Sequence, residues 1–516
     1  MRVLRTLAEL RDWRRLDAAA PLHFVPTMGA LHAGHQHLIR RAGQRAAAGP
    51  PRVLVSVFVN PLQFGPGEDL DRYPRDLASD QQLALAAGAD GLLAPDPALL
   101  YPHGLTSVTR VVPPPELEQV LCGPARPGHF IGVATVVCRL LALVRPDRLL
   151  LGEKDWQQLV ILRRVVADLG LPVLIEGVAT VREEDGLACS SRNRYLDAAA
   201  RARAAALPAA LGRAHALQAG GQRDASVLCA AVRRDLEAAG LVVDHVAATR
   251  AHNLQAVERV EGPVLLAAAV QCGAARLIDH VVLMPRPPIV AVDGPAGAGK
   301  STVTRALAQR LGLLYLDTGA MYRALTWWLQ RQGVDPADAA AIAPLLEGLE
   351  LQLDIAADGS QLVAVNGEDV TAAIRSPEVT AAVSAVAAHG CVRQALTAQQ
   401  RRLGERGGLV AEGRDIGTAV FPDAEVKIFL TATAGERARR RARDLQERGF
   451  AVPALEELEQ QIRTRDHQDS SRAVAPLRQA VDAVELLSDG LTIEAVIERL
   501  VLLVRERVPE EAWPQP

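Results

Sequence analysis

Short apolar runs recur along the chain, and the most regular ones are each followed at once by a cluster of Gly, His, Gln or Arg. His23 to Pro26 reads as a strand leading into TMGALHAGHQHLIRRA, where Leu31, Leu38, Ile39 and Ala42 mark the buried face of a helix beginning near His32-Ala33-Gly34-His35. Val53 to Val59 ends in Asn60-Pro61-Leu62-Gln63-Phe64, and Leu149 to Leu151 runs into Gly152-Glu153-Lys154-Asp155. Ile289 to Asp293, short and β-branched, opens a glycine loop, after which Val303, Ala306, Leu307 and Leu311 fall at helical spacing. Polar clusters that follow apolar strands sit at the carboxyl ends of a parallel sheet, so the pattern predicts an α/β protein. Elsewhere residues 1–20 read as an Arg-rich amphipathic helix, and Asp197 to Gly240 as Ala- and Arg-rich helices with a solvated face. Val242 to Thr249, Arg276 to Leu283 and the VKIFL run at 426–430 read as strands.

The glycine loop carries the most specific chemistry. Gly294, Gly299, Lys300 and Ser301 fit G-x-x-x-x-G-K-[ST], with a strand before and a helix after. Backbone N–H groups unobstructed by Cβ atoms can wrap a phosphate chain, and the helix N-terminus adds partial positive charge. Gly297 and Thr302 complete the expected ATP cradle; Lys300 reaches the β- and γ-phosphates, and Ser301 is the expected Mg²⁺ ligand. Such a loop normally lies near the start of its domain, yet almost 290 residues precede it, and Met284-Pro285-Arg286-Pro287-Pro288 has linker composition. The chain therefore divides into two enzymes, at 1–285 and 286–516.

Composition narrows the setting. With 516 residues, 49% of them hydrophobic, each part can bury its own core, and a net charge of −3 gives no reason to expect nucleic acid or membrane as a partner. Val133 to Val144 is too short to span a bilayer and is broken by Arg139. Six cysteines (122, 138, 189, 229, 272, 391) without a C-x-x-C pair suit reduced thiols in the cytoplasm. Against 54 arginines stand only Lys154, Lys300 and Lys427, so a retained lysine suggests a need for a compact ammonium. Lys300 has that need in the glycine loop, and Lys154 follows a strand; nothing in the sequence gives Lys427 a role.

H-x-G-H at a helix start can donate to phosphate oxygens beside the helix dipole, although alone it also fits a surface histidine pair. Gln63 and Gln158 are uncharged two-way hydrogen-bonding groups suited to a small hydroxylated substrate, and Lys154 and Arg192 supply charge for a triphosphate. In this company PTMGALHAGH, FVNPLQF, GHFIGVATVV, RPDRLLLGEKDWQQL and VREEDGLACSSRNRYL resemble pantothenate synthetase (pantoate–β-alanine ligase) over about residues 1–283. The resemblance implies a Rossmann-like nucleotidyltransferase domain (1–186), a small α+β lid domain (187–285) and a homodimer formed through this half. It implies that ATP and pantoate give pantoyl-adenylate and pyrophosphate, after which β-alanine yields pantothenate and AMP. By it, His32, His35 and Lys154 are catalytic, with His35 as proton donor. Met28, Gly29, His32, His35, Gly152, Glu153, Lys154, Asp155, Val181, Cys189, Ser190, Ser191 and Arg192 match the ATP contacts, and Gln63 and Gln158 those of pantoate and β-alanine. Cys189 stands where Met is commoner and Trp156 where Tyr or Phe is; His37 and His129 read as structural. An adenylyltransferase acting on a cofactor phosphate is the alternative that H-x-G-H leaves open.

Beyond the P-loop, LDTGAMYR (316–323) carries the D-[ST]-G-x-x-[YR]-R pattern of nucleoside monophosphate kinases. With NGEDVTAAIRSPEVTAAVSAVA (366–387), LVAEGRDIGTAVFPDAEVKIFL (409–430) and RTRDHQDSSRAVAPL (463–477), residues 288–505 resemble bacterial cytidylate kinase. Its Asp-Gly-Arg-Asp is here Glu412-Gly413-Arg414-Asp415, and Ala296 replaces a usual Ser. The resemblance implies a P-loop nucleoside monophosphate kinase fold, Lys300 as catalytic, and ATP phosphorylating CMP or dCMP. By it, Thr318 and Tyr322 border the acceptor, Arg323, Arg414 and Arg472 hold its phosphate, Ser384, Arg393 and Asp415 read the base, and Arg465 and Asp469 meet the ribose. ERARRRARDLQER (436–448) fits an arginine-rich lid closing over ATP. UMP, AMP or a shikimate-type alcohol are the alternative acceptors.

Overall fold

A computed structural model of the chain describes residues 1–44, 49–356, 361–447, 449–472, 474–509 and 512. Arg448, at the end of the arginine-rich run, and Ala473, within RTRDHQDSSRAVAPL, lie outside them. The chain forms two compact units, one of Met1–Pro285 with Arg505–Ala512, the other centred on Arg286–Val504. Among the described residues, no helix is long and apolar enough to cross a membrane.

The first unit is built on six strands: β1 (Arg2–Leu4), β2 (Leu22–Thr27), β3 (Arg52–Val57), β4 (Gly91–Leu93), β5 (Arg148–Gly152) and β6 (Leu174–Val178). All pair in parallel, in the order β1-β4-β3-β2-β5-β6. Helices on both faces bury β2, β3 and β5 from either side, which is why these strands read as continuous apolar runs. The chain moves from β2 toward β3 in one direction and later from β5 toward β6 in the other. A crevice therefore opens at the carboxyl ends of β2 and β5, where ligands bind in such sheets. The first twenty residues differ from the single helix expected. Arg2–Leu4 pairs with β4, and helix α1 (Leu7–Arg15) starts behind a Thr6/Glu9 capping box.

The part expected to be a lid holds an antiparallel sheet of β7 (Val242–Arg250), β8 (Val264–Cys272) and β9 (Ala275–Leu283), in that order. The central β8 has no counterpart in the expected elements. Its Ala- and Val-rich run is buried on both faces and shows no alternation to betray a strand. Two helices, Ala206–Ala219 and Ala225–Ala238, pack against it through Leu207, Leu211, Leu228, Val232 and Leu236.

In the second unit, β10 (Ile289–Asp293), β11 (Leu314–Asp317), β15 (Leu409–Gly413), β16 (Val426–Thr431) and β17 (Val484–Leu487) form a parallel sheet in the order β11-β15-β10-β16-β17. A small antiparallel sheet, β12 (Leu351–Ile355), β13 (Gln361–Val365) and β14 (Glu368–Asp369), lies between β11 and β15 in the sequence. Every residue of β10 is buried. The P-loop thus leaves the centre of the sheet.

Candidate active sites

In the first unit the chain leaves β2 through Met28-Gly29-Ala30-Leu31. Gly29 (φ +82°) and Ala30 (φ +51°) are both left-handed, a strained pair that needs outside support. Asp80, 2% exposed, gives it by accepting the N–H groups of Ala30 at 3.1 Å and Leu31 at 2.8 Å. A Cβ on Gly29 would stand 2.8 Å from that carboxylate, so the glycine is what lets it approach. Thr27 Oγ1 accepts from Gly29 N–H at 3.1 Å and donates to Ser56 O at 2.7 Å. The loop is held at Gly29, Ala30 and Leu31 before it reaches the histidines.

His32 is the N-cap of helix α2 (Ala33–Ala42): its Nδ1 accepts the N–H of Gly34 at 3.2 Å, which leaves the ring proton on Nε2. His35 lies one turn on, its ring centroid 4.1 Å from that of His32. Burial, with Lys154 and Arg194 nearby, lowers the His32 pKa to about 4; burial and His32 lower that of His35 to about 3. Both are neutral hydrogen-bond donors at neutral pH. His35 Nδ1 is buried with no hydrogen-bond partner among the described residues.

Gln63 is held by Asn60 Nδ2, which donates to its Oε1 at 3.0 Å and to Gly132 O at 3.1 Å, while Tyr101 donates to Asn60 Oδ1 at 2.8 Å. The amide nitrogen of Gln63 is therefore the end left for a ligand. Gly132 permits this packing, since a Cβ there would fall 2.2 Å from Leu62 O. His129, read as structural, bonds Gln63 O at 2.8 Å and so braces the same segment. One cavity is lined by Met28, His32, His35, Gln63, Gly152, Lys154, Asp155, Gln158, Val181, Cys189, Ser190, Ser191 and Arg192. Gly29 and Glu153 stand behind its wall; Glu153 is 1% exposed. The Cys189–Arg192 segment enters after the isolated bridge Arg182–Ala188, not directly from a sheet strand. Trp156 points away to bond Ala251 O at 2.7 Å, which explains a large indole at that position. Arg192 meets Asp69 at 3.0 Å, and Arg126 meets Glu68 at 2.7 Å. Asp80, Asp69 and Arg126 had no signal in the sequence beyond their polarity, whereas Asn60 stood in the cluster after Val59 without a role of its own.

In the second unit Gly294 (φ +152°) lies so close to β16 that a Cβ would be 2.0 Å from Leu430 O. Lys300 Nζ donates to Gly294 O at 2.8 Å and Pro295 O at 2.9 Å; burial, then Arg414, lowers its pKa to about 7. Ser301 Oγ donates to Glu412 Oε1 at 2.6 Å, and Glu412 Oε2 is buried without a well-aligned partner among the described residues. A hydroxyl backed by a carboxylate beside a phosphate loop is a hard-oxygen set that fits Mg²⁺.

The residues expected around the acceptor converge on the same cavity. Thr318, Tyr322, Arg323, Ser384, Arg393, Arg414, Asp415, Arg465, Asp469 and Arg472 line it together with Gly297, Gly299, Lys300, Ser301 and Thr302. Gly294, expected among the ATP contacts, is not in the lining: it is buried against β16 at the base of the loop. Most of the arginines are already paired. Arg323 meets Asp317 at 2.7 Å, Arg414 meets Asp469 at 3.2 Å, Arg472 also meets Asp469, and Arg393 meets Asp415. Arg465 is lowered in pKa by burial, with Arg414 and Arg472 adding repulsion. The arginine-rich run forms the helix Ala434–Glu447. In it Arg437 donates to Ala296 O at 3.1 Å and pairs with Asp466 at 2.6 Å, while Arg440 donates to Ala298 O at 3.3 Å. These two brace the P-loop, whereas Arg441 faces the cavity. Lys427 is pinned to Pro422 O at 2.6 Å and to Asp482 at 2.9 Å, a structural role.

Comparison with known proteins agrees with this division. Residues 2–282 match the family described as pantoate-beta-alanine ligase, and residues 290–506 the family described as cytidylate kinase. A relative from Prochlorococcus marinus (strain MIT 9313), named bifunctional pantoate ligase/cytidylate kinase, is 61% identical over 505 residues, covering 98% of this chain and 99% of that protein. One of the same name from Synechococcus sp. (strain CC9605) is 63% identical over 492 residues, covering 95% and 100%. The solved pantothenate synthetase of Thermus thermophilus is 45% identical with a TM-score of 0.51, covering 55% of this chain and 100% of that one. With a cavity in each unit lined by the expected residues, and relatives matched along their whole length, the chain belongs to the bifunctional pantoate ligase/cytidylate kinases, enzymes that carry both activities in one polypeptide.

Proposed function

We propose that the first unit uses the cavity between His32, His35, Gln63, Lys154, Gln158 and Arg192 for a two-step condensation. The observation that carries it is the meeting of two neutral histidines, one lysine and two glutamines at the crevice beyond β2 and β5. Gln63 and Gln158 orient pantoate so that a carboxylate oxygen attacks the α-phosphorus of ATP. The bond to the bridging oxygen breaks and pyrophosphate leaves with its electrons. His35 and the His32 Nε2–H donate to the phosphate oxygens, and Lys154 and Arg192 disperse their charge. The amine of β-alanine then attacks the acyl carbon, AMP departs, and the amine gives up a proton.

The second unit transfers the γ-phosphoryl of ATP to a phosphate oxygen of CMP or dCMP, releasing ADP. Lys300 and the loop amides hold the donor, while Arg323, Arg414 and Arg472 hold the acceptor phosphate. Arg393 and Asp415 present a donor and an acceptor to the base edge. Mg²⁺, held by Ser301 with Glu412 behind it, supplies charge neutralisation on the transferring phosphates when bound. The chain is further read as a cytoplasmic enzyme and its first unit as a homodimer.

Both activities are tested on the intact chain. Pantoate- and β-alanine-dependent AMP release is expected from one site, and ADP release ranked CMP and dCMP above UMP and AMP from the other. ATP titration with unreactive analogues is expected to give two sites per chain, and sedimentation to give a dimer. AMP release that needs neither pantoate nor β-alanine, or a single ATP site, overturns the reading.

A further inference from the structure

Asp293 ends β10 immediately before the P-loop, yet it has no part in holding donor phosphates. Its side chain is 5% exposed. Oδ1 accepts the N–H of Ile416 at 2.8 Å, and Oδ2 that of Gly417 at 2.7 Å. These amides open a single π-turn, Ile416–Val420, where the chain leaves β15 directly after Arg414 and Asp415. The turn closes through Val420 N–H to Asp415 O at 3.1 Å and Phe421 N–H to Ile416 O at 2.7 Å. Its first amides have no acceptor within the turn, and the carboxylate supplies both. The fit is close. A Cβ on Gly417 would lie 3.3 Å from Asp293 Oδ2 and 3.2 Å from Lys427 Cδ, and the Lys427 ammonium is anchored to Pro422 O and Asp482.

Resting on the kinase reading above, we infer that Asp293 is a positioning residue of the acceptor site, fixing Arg414 and Asp415 to the strand that carries the P-loop. One carboxylate thereby gives donor loop and acceptor residues a common anchor. The alternative, a buried acid that merely stabilises the fold, does not account for its two bonds falling on the turn that launches the acceptor residues. Lys300 and Asp415 are the charged groups acting on it, with the Lys427 stem walling the turn. Burial raises its pKa to about 6, so its charge is responsive within an accessible pH range.

The test compares steady-state kinase kinetics of wild type, Asp293→Asn and Gly417→Ala. An amide accepts with one oxygen and turns an NH₂ toward the second N–H, so Asp293→Asn is expected to raise KM for CMP about tenfold while leaving KM for ATP within about twofold. Gly417→Ala keeps the charge but crowds the carboxylate, and is expected to act in the same direction; it carries the test if Asp293→Asn does not fold. The ratio of KM for CMP between Asp293→Asn and wild type is expected to shrink below pH 6, as the wild-type carboxyl takes up a proton and becomes like the amide; the ratio cancels the titration of CMP itself. Unchanged KM for CMP in the folded variants, equal rises for both substrates, or a pH-independent ratio overturns the inference. Absence of CMP phosphorylation by wild type would instead sink the kinase reading.

Discussion

The two nucleotide loops solve one mechanical problem in different electrostatic ways. Each leaves a central strand of a parallel sheet, and each is tied at its base by a buried carboxylate that accepts two backbone N–H groups. In the first unit Asp80 reaches across from a helix (Leu77–Ala86) to hold the histidine loop itself. In the second, Asp293 lies on the loop's own strand and holds the facing turn. The charges differ more. Beside Lys154 and the Asp69-paired Arg192, the histidine site relies on imidazoles that burial keeps neutral, whereas the P-loop cavity holds a ring of arginines, most of them facing Asp317, Asp415 or Asp469. Permanent cations gathered in a pocket need counter-charges until a nucleotide arrives, because unpaired buried ions are costly. Neutral donors need none. The difference suits the chemistry: attack at the α-phosphorus, where charge develops locally, versus phosphoryl transfer, where a fixed field embraces two phosphate chains.

The largest expected effects separate the two sites. Lys300→Ala is expected to lower kcat for CMP phosphorylation about a thousandfold and leave pantothenate formation unchanged. His35→Ala is expected to lower adenylation between about a hundredfold and a thousandfold and leave the kinase unchanged. Both are read by coupled assays of ADP and AMP on the same preparation. Either substitution silencing both activities in a folded protein would break the comparison at its root.

A smaller effect sharpens it. Asp80→Asn keeps the shape of the support but loses one of two acceptors for the Ala30 and Leu31 amides, so the Gly29–Leu31 segment and the His32 cap shift together. Displacement of that order costs about ten- to a hundredfold in turnover. The loss is expected in kcat for pantoyl-adenylate formation, measured by pyrophosphate release, with the kinase untouched. A loss confined to KM for ATP would mean that Asp80 shapes the binding site without aligning the histidines.

Much of this was legible in the chain. The P-loop was readable because strand, glycines and helix are contiguous, and the polar clusters after Pro26, Val59 and Leu151 located the crevice because strand ends in a parallel sheet share one edge. What stayed hidden depends on elements brought together only by folding. Nothing near Asp80 in the sequence says that it meets residues 30 and 31, and Asp293 reads as the end of a strand. The arginine-rich run looked uniform, yet Arg437 and Arg440 brace P-loop carbonyls while Arg441 faces the cavity. That split is set by the rotation of its helix against the helix Leu455–Ser470, which carries Asp466. Residues 1–20 concealed a strand because Val3 and Leu4 are too few for a period, and reading them as a single helix passed over the Thr6/Glu9 capping box that sets the helix start.

The smallest expected effect tests the electrostatic contrast itself, in opposite directions for the two units. His35 has a folded pKa of about 3, below the ordinary imidazole value, so between about pH 6.5 and 3 the unfolded chain takes up a proton that the folded one refuses. Stability from this group is therefore lost as pH falls. Asp293, at about 6, lies above the ordinary carboxyl value, so between about pH 6 and 4 the folded chain takes up the proton first, and stability rises as pH falls. Each slope approaches about 1.4 kcal/mol per pH unit at full effect. Relative to His35→Asn, wild type is expected to lose stability on acidification; relative to Asp293→Asn, it is expected to gain. Denaturant unfolding between about pH 7 and about pH 5, followed separately for each unit, measures both differences. Parallel slopes would mean that the neutral histidines and the buried aspartate sit in similar fields, and the contrast between the two loops would then rest on their geometry alone.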